Sequence, residues 1–97
     1  MASVLIIDDN DAVRTALEVL LSLEGHRVFC ASSPADGMRQ LVSHEIDLVL
    51  QDMNFKKEAT SGEEGVQLFR AIRERFPSTP IVLLTAWTHL ETAIELV

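Results

Sequence analysis

Three short runs of this chain, Val4 to Ile7, Ile46 to Leu50 and Ile81 to Leu84, are built almost wholly from Val, Ile and Leu. A strand with one wetted face alternates apolar and polar side chains, whereas a strand covered on both faces shows little alternation. These runs therefore read as central strands of a parallel sheet. A fourth run, Arg27 to Ala31, sets Val28 and Cys30 against more exposed neighbours and suits a strand nearer an edge.

Helical segments fill the gaps. From about Asp11 to Glu24, the residues Val13, Leu17, Leu20, Leu21 and Glu24 recur at three and four, and Gly25 supplies the stop. A second helix opens with Ser33 as a side-chain cap and Pro34 at the first helical position, and directs Met38, Leu41 and Val42 inward. The third opens on a capping box, Ser61-Gly62-Glu63-Glu64, carries Val66, Leu68, Phe69 and Ile72 on its apolar side, and closes at Phe76 and Pro77. A fourth begins at Thr88, with Glu91 three residues on, and runs to Val97. Strand and helix alternate throughout, which implies a parallel sheet with helices on both faces and right-handed crossovers. No internal repeat, linker or low-complexity tract interrupts the pattern.

Length and charge narrow the function classes. A chain of 97 residues makes one domain. Its 15 acidic against 8 basic residues leave a net charge of -7, the wrong sign for grasping a phosphodiester backbone, so direct nucleic-acid binding is excluded. The single cysteine, Cys30, reads as an unbridged core thiol. Val4 to Ile7 is too short for a signal-peptide core or a membrane span, and Asp8 and Asp9 follow at once, so the expected location is the cytoplasm.

In open parallel sheets, ligands bind above the carboxyl ends of the strands, where the strand order reverses. One buried run ends in Asp8 and Asp9, another in Asp52, and a third in Thr85. If the first and third strands are neighbours, three carboxylates meet in one crevice with a hydroxyl opposite. Like charges so close raise one another's pKa or recruit a cation. An all-oxygen set without His or Cys selects a hard ion such as Mg2+, which binds through one or two carboxylates together with phosphate oxygens. Asp8 to Asp11 also suits a helix start, where acidic side chains favour the dipole. The matching strand-end positions of Asp52 and Thr85 favour the site.

The motifs Val4-Leu5-Ile6-Ile7-Asp8-Asp9, Leu48-Val49-Leu50-Gln51-Asp52-Met53 and Ile81-Val82-Leu83-Leu84-Thr85-Ala86 resemble, in order and spacing, successive motifs of response regulator receiver domains. The likeness covers the whole chain. It implies a flavodoxin-like, doubly wound α/β fold with strand order 2-1-3-4. It also implies that Asp52 accepts a phosphoryl group, that Asp9 and Asp52 ligate Mg2+ directly, and that the backbone carbonyl of Asn54 supplies a third ligand. Asp8 would act through water. Thr85 would donate its hydroxyl to a phosphoryl oxygen, and Ala86 would leave room for the group. The implied partners are a sensor histidine kinase as donor and a C-terminal output domain, in all expectation a transcriptional, DNA-binding one.

The chain departs from that family in two ways. A complete receiver carries a fifth strand ending in lysine and a fifth helix, so the reading is of a receiver cut short before its end, or a degenerate one. The segment from Asn54 to Ser61 is longer than the turn usual after the acceptor, and it places Lys56 and Lys57 either against a bound phosphate or in a solvated loop. Trp87 follows Thr85 and is either a reporter of metal and phosphate or a half-packed loop aromatic. His26, His44 and His89 stand at no strand's carboxyl end and are expected at the surface, so no donor histidine is expected within the chain.

Two other functions compete. Asp9-Asn10-Asp11-Ala12-Val13 also fits the Asp-x-Asp-x-Thr/Val pattern of haloacid-dehalogenase-like phosphatases, although their later lysine and acidic-pair motifs are missing and Asp52 is left without a role. The other is an interaction module, folded like a receiver but working through dimerisation alone. An uncovered Ile81 to Leu84 edge and a bared helix-packing face favour self-association, as a face-to-face or element-swapped dimer. Sedimentation at high protein concentration is therefore expected to show dimers; a monodisperse monomer is the opposing result.

Overall fold

The computed structural model describes residues 1–53 and 63–84. Four parallel strands, β1 (Ser3–Ile7), β2 (Arg27–Ala31), β3 (Leu48–Asp52) and β4 (Ile81–Leu84), form one sheet in the order β2-β1-β3-β4. Three helices connect them, α1 (Asp11–Leu23), α2 (Pro34–Ser43) and α3 (Glu63–Arg75). The expected doubly wound fold and strand order are those observed. The helix expected from Thr88 and the cap residues Ser61 and Gly62 lie outside the described residues.

β1 lies at the heart of the sheet because it has no polar side to show. Val4 and Ile6 face one way with Leu50, and Leu5 and Ile7 the other with Ala31, Leu41, Val49, Leu68 and Ile72, and all are buried. α2 and α3 cover the second, larger cluster. α1 covers the first through Leu17 and Leu21, packing on β1 and β2.

Helix ends follow the local chemistry. Asn10 caps α1 by accepting from the Val13 amide at 3.1 Å. At the other end, Gly25 takes the left-handed φ of 86°, its N–H donates to Ser22 O, and that of His26 donates to Leu21 O, closing a Schellman motif. Ser33 caps α2, its hydroxyl oxygen accepting from the Asp36 amide, with Pro34 beginning the helix. α3 stops at Arg75, and the Arg73 guanidinium donates to the carbonyls of Pro77 and Thr79 in the loop that follows.

Several expectations need correction. β3 starts two residues later than the apolar run and ends two later. Asp47 is occupied below the ladder, its carboxylate accepting from the Ser3 amide and its N–H donating to Ser3 O, while Gln51 and Asp52 remain paired within the sheet. Ile81–Leu84 is not a central strand among the described residues: it pairs with β3 alone, leaving Val82 and Leu83 over two-fifths exposed. On β2, Phe29 is as buried as Val28 and Cys30, since it stacks on His44 and packs against the α2 side. Val13 and Leu20 of α1 face outward, Leu20 being 60% exposed, because the helix meets the sheet along Leu17 and Leu21. Val42 of α2 is likewise 57% exposed. There Gly37, not Val42, makes the close contact: a Cβ on it would stand 2.6 Å from Ile7 Cδ1, so the missing side chain lets α2 settle on β1. Val66 stands at the margin of exposure, and Gly65, Leu68 and Ile72 form the inner stripe of α3.

Cys30 is unbridged, as expected, but only half-buried at the margin of the core, where it donates to the Glu18 carboxylate at 3.4 Å. Burial and that carboxylate push its thiol pKa up to about 11, so it stays protonated. Among the described residues, no helix is long and apolar enough to cross a membrane.

The two sides of α1 and α3 should respond differently to substitution. Ile72→Ala is expected to cost about 3 kcal/mol of unfolding free energy by urea titration, as a wholly buried side chain leaves a cavity. Leu20→Gln in dilute solution should change it by no more than about 0.5 kcal/mol.

Candidate functional site

The parallel register that pairs Ile7 with Gln51 brings the next step of β1 beside Asp52, the last residue of β3. Asp8, Asp9 and Asp52 consequently converge: one carboxylate oxygen from each lies within 4.8 Å of the others. Asp8 and Asp52 are buried, at 5% and 7% exposure, while Asp9 is exposed to solvent. The expected meeting of three carboxylates in one crevice is therefore what the fold produces.

Short-range bonds hold this corner. The Asp8 amide donates to Ala31 O at 3.0 Å, extending the β1 and β2 ladder by one step. Its carboxylate accepts from the Asn10 amide at 2.8 Å, and Asn10 in turn caps α1. Arg14, one turn into α1, donates from Nη1 to the Asp8 carbonyl at 2.7 Å and pairs through Nη2 with Asp11. On the far side of the crevice, the Met53 amide donates to Leu84 O at 3.0 Å, so the end of β3 is tied to the end of β4.

Burial raises the Asp8 pKa above 3.8 most strongly; the Asn10 hydrogen bond opposes this, the Asp9 charge adds to it, and Arg14 counters. Three carboxylates this close, two of them buried, make a site that gains from a cation. The donors are all oxygens, and their spacing suits a small ion with ligands at roughly 2.1 Å and one carboxylate reaching it through water. The residues present thus fit Mg2+.

Thr85, Asn54, Ala86, Lys56, Lys57, Trp87 and His89 lie outside the described residues. Of the other histidines, His44 is exposed and stacks on Phe29 with ring centroids 4.2 Å apart. His26 is half-buried, not at the surface, because its Nδ1 accepts from the Ala2 amide at 3.1 Å. Both precede their strands and stand at the end of the sheet away from the carboxylates. Two residues near the site were not foreseen. Arg14 carried a weak signal, a cation three residues after Asp11. Gln51 carried a stronger one, a polar residue inside a run otherwise buried on both faces.

The family model for the response regulator receiver domain matches residues 4–97. The chain belongs to that family. This receiver domain is 43% identical over 86 residues to the transcriptional regulatory protein AfsQ1 of Streptomyces coelicolor, a match covering 89% of the chain and 36% of the relative. It is 34% identical over 94 residues to the response regulator protein FleR of Pseudomonas aeruginosa, covering 97% of the chain and 19% of the relative. The receiver domain thus spans about a third or less of the curated relatives it matches. Among solved structures, a response regulator receiver domain protein from Clostridium thermocellum superposes with a TM-score of 0.79 at 30% identity, covering 99% of this chain and 74% of that one. The response regulator TrrA of Thermotoga maritima, crystallised in complex with Mg2+ and BeF, superposes with a TM-score of 0.79 at 26% identity, covering 95% and 76%. Receivers are signalling domains, and membership leaves the phosphatase reading of Asp9 without support.

Because the folded receiver holds the Asp8 proton more tightly than the unfolded chain does, stability should fall as pH rises from 3.8 through the higher folded value and stay reduced above it. At neutral pH without divalent ions, Asp8→Asn is therefore expected to raise the melting temperature. Added Mg2+ should raise that of the unsubstituted protein, less so the variant's, and the gain should shrink on acidification. Thermal unfolding followed by circular dichroism, with and without Mg2+, checks all three.

Proposed function

We propose that this receiver takes up a phosphoryl group on Asp52 from the phosphorylated imidazole of a sensor histidine kinase, and that this regulates an attached output domain. The observation that carries the reading is the convergence of Asp8, Asp9 and Asp52 at the carboxyl ends of β1 and β3. A carboxylate can serve as nucleophile toward phosphorus. An Asp52 oxygen forms the new P–O bond, the P–N bond to the donor imidazole breaks, and the electron pair leaves with the ring nitrogen, which takes up a proton from water. The product is an aspartyl phosphate.

Asp9, Asp52 and the Asn54 carbonyl would hold Mg2+, with Asp8 acting through water; the bound ion supplies compensation for the charge gathered on the phosphoryl oxygens. Thr85 would donate its hydroxyl to one of those oxygens, and Ala86 would leave room beside them. Asp8 and Asp52 are both buried, so their charges are screened less by bulk water than that of the exposed Asp9. Arg14 keeps the β1 to α1 corner in place from behind through the Asp8 carbonyl.

A transcriptional output is supported by relatives that are themselves transcriptional regulatory proteins. In that role the chain works in the cytoplasm beside its kinase, is a single receiver domain, and does not itself touch nucleic acid. Self-association belongs to the same reading, through the Ile81–Leu84 edge, where Val82 and Leu83 are exposed.

Intact-mass spectrometry after incubation with acetyl phosphate and Mg2+ is expected to show one added phosphate, absent from Asp52→Asn and mapping to the peptide that contains Asp52. No added phosphate on this chain or on one extended through a fifth strand and helix would favour the interaction module instead.

A further inference from the structure

Gln51 is wholly buried, one residue before the proposed acceptor, on the face of β3 that α3 covers. Its side-chain nitrogen donates to Gly65 O in the first turn of α3 at 2.7 Å and approaches the Asp52 carbonyl at 3.3 Å. The amide can sit one way only, because turning it over would set its oxygen against two carbonyl oxygens. In that orientation Oε1 is buried and has no hydrogen-bond partner among the described residues.

An unmatched buried acceptor is costly, and an apolar side chain of similar volume would fill the space without it. What the amide alone supplies is a bridge. The peptide unit between Asp52 and Met53 is gripped at both of its polar groups: the Asp52 carbonyl accepts from Gln51, and the Met53 amide donates to Leu84 O. α3 also bears directly on this peptide. A Cβ at Gly65 would stand 2.4 Å from Met53 O, so the helix backbone reaches the chain immediately after Asp52 at a distance only glycine allows.

We propose that Gln51 is a positioning residue for phosphoryl uptake: its amide ties the Asp52 carbonyl to the first turn of α3 and so sets where the Asp52 carboxylate stands in the crevice. The inference rests on Asp52 being the acceptor. A nucleophile displaced by a fraction of an ångström loses alignment with the phosphorus, and rates fall steeply with such displacement.

The test compares the unsubstituted protein with Gln51→Met, which keeps the volume but lacks the amide. The variant is expected to melt at or above the unsubstituted protein, since the orphan acceptor leaves with the amide. Its maximal rate of phosphate gain from acetyl phosphate at saturating Mg2+ should fall about tenfold. Equal maximal rates would overturn the proposal while leaving Asp52 as acceptor, and an unsubstituted protein that gains no phosphate would overturn both. A second measurement needs no variant: the Gln51 side-chain amide resonances should be protected from exchange and should shift when Mg2+ is added. Resonances that Mg2+ leaves unmoved would equally sink the positioning role.

Discussion

Everything in this fold hangs from the burial of β1 on both faces. Four consecutive apolar side chains, Val4, Leu5, Ile6 and Ile7, have no solvent side, so β1 must take strands on each edge and helices above and below. Once β2 and β3 are hydrogen-bonded to it, the register is no longer free, because a slip of one residue would turn every side chain to the opposite face. That register is what sets Asp8 beside Asp52. The acidic crevice is thus a by-product of hydrophobic burial, with the charged ends of the strands held where the sheet ends and water begins.

The two faces of the sheet are covered unequally. α2 and α3 together bury seven side chains into one cluster, and glycines at 37 and 65 let their backbones approach β1 and the end of β3 closely. α1 meets the other face mainly through Leu17 and Leu21, and much of its apolar surface looks outward. The closely packed side is thus the one that carries Gln51 and meets the chain next to Asp52, and the α1 side is the one that leaves apolar side chains exposed.

Polar groups near the site work mainly on the backbone. Arg14 and Gln51 each donate to a backbone carbonyl, that of Asp8 and that of Asp52, while the Asn10 N–H donates to the Asp8 carboxylate itself. Such bonds fix direction without neutralising the crevice. The raised Asp8 pKa comes chiefly from burial, which favours the neutral form, with the Asp9 charge adding to it.

The fold class, the strand order implied by family likeness and the identity of the three acids were legible in the sequence, since they rest on local signals: unbroken apolar runs, caps at Ser33 and Gly25, and carboxylates where those runs end. Exposure of Leu20 and Val42 was not legible, because a helical stripe states which residues are apolar but not which part of the stripe the sheet will meet. The limits of β3 were set by Asp47 pairing with Ser3, a contact across 44 residues of chain. Gln51 shows the same division: its polarity in a buried run was visible, but its partners, Gly65 O and the Asp52 carbonyl, exist only once α3 lies against β3. The sequence by itself determined which segments must be buried and which acids end them, through side-chain chemistry and period. Only the tertiary structure decided which groups those acids meet, because hydrogen bonds and packing between distant segments depend on register and approach that no local pattern encodes.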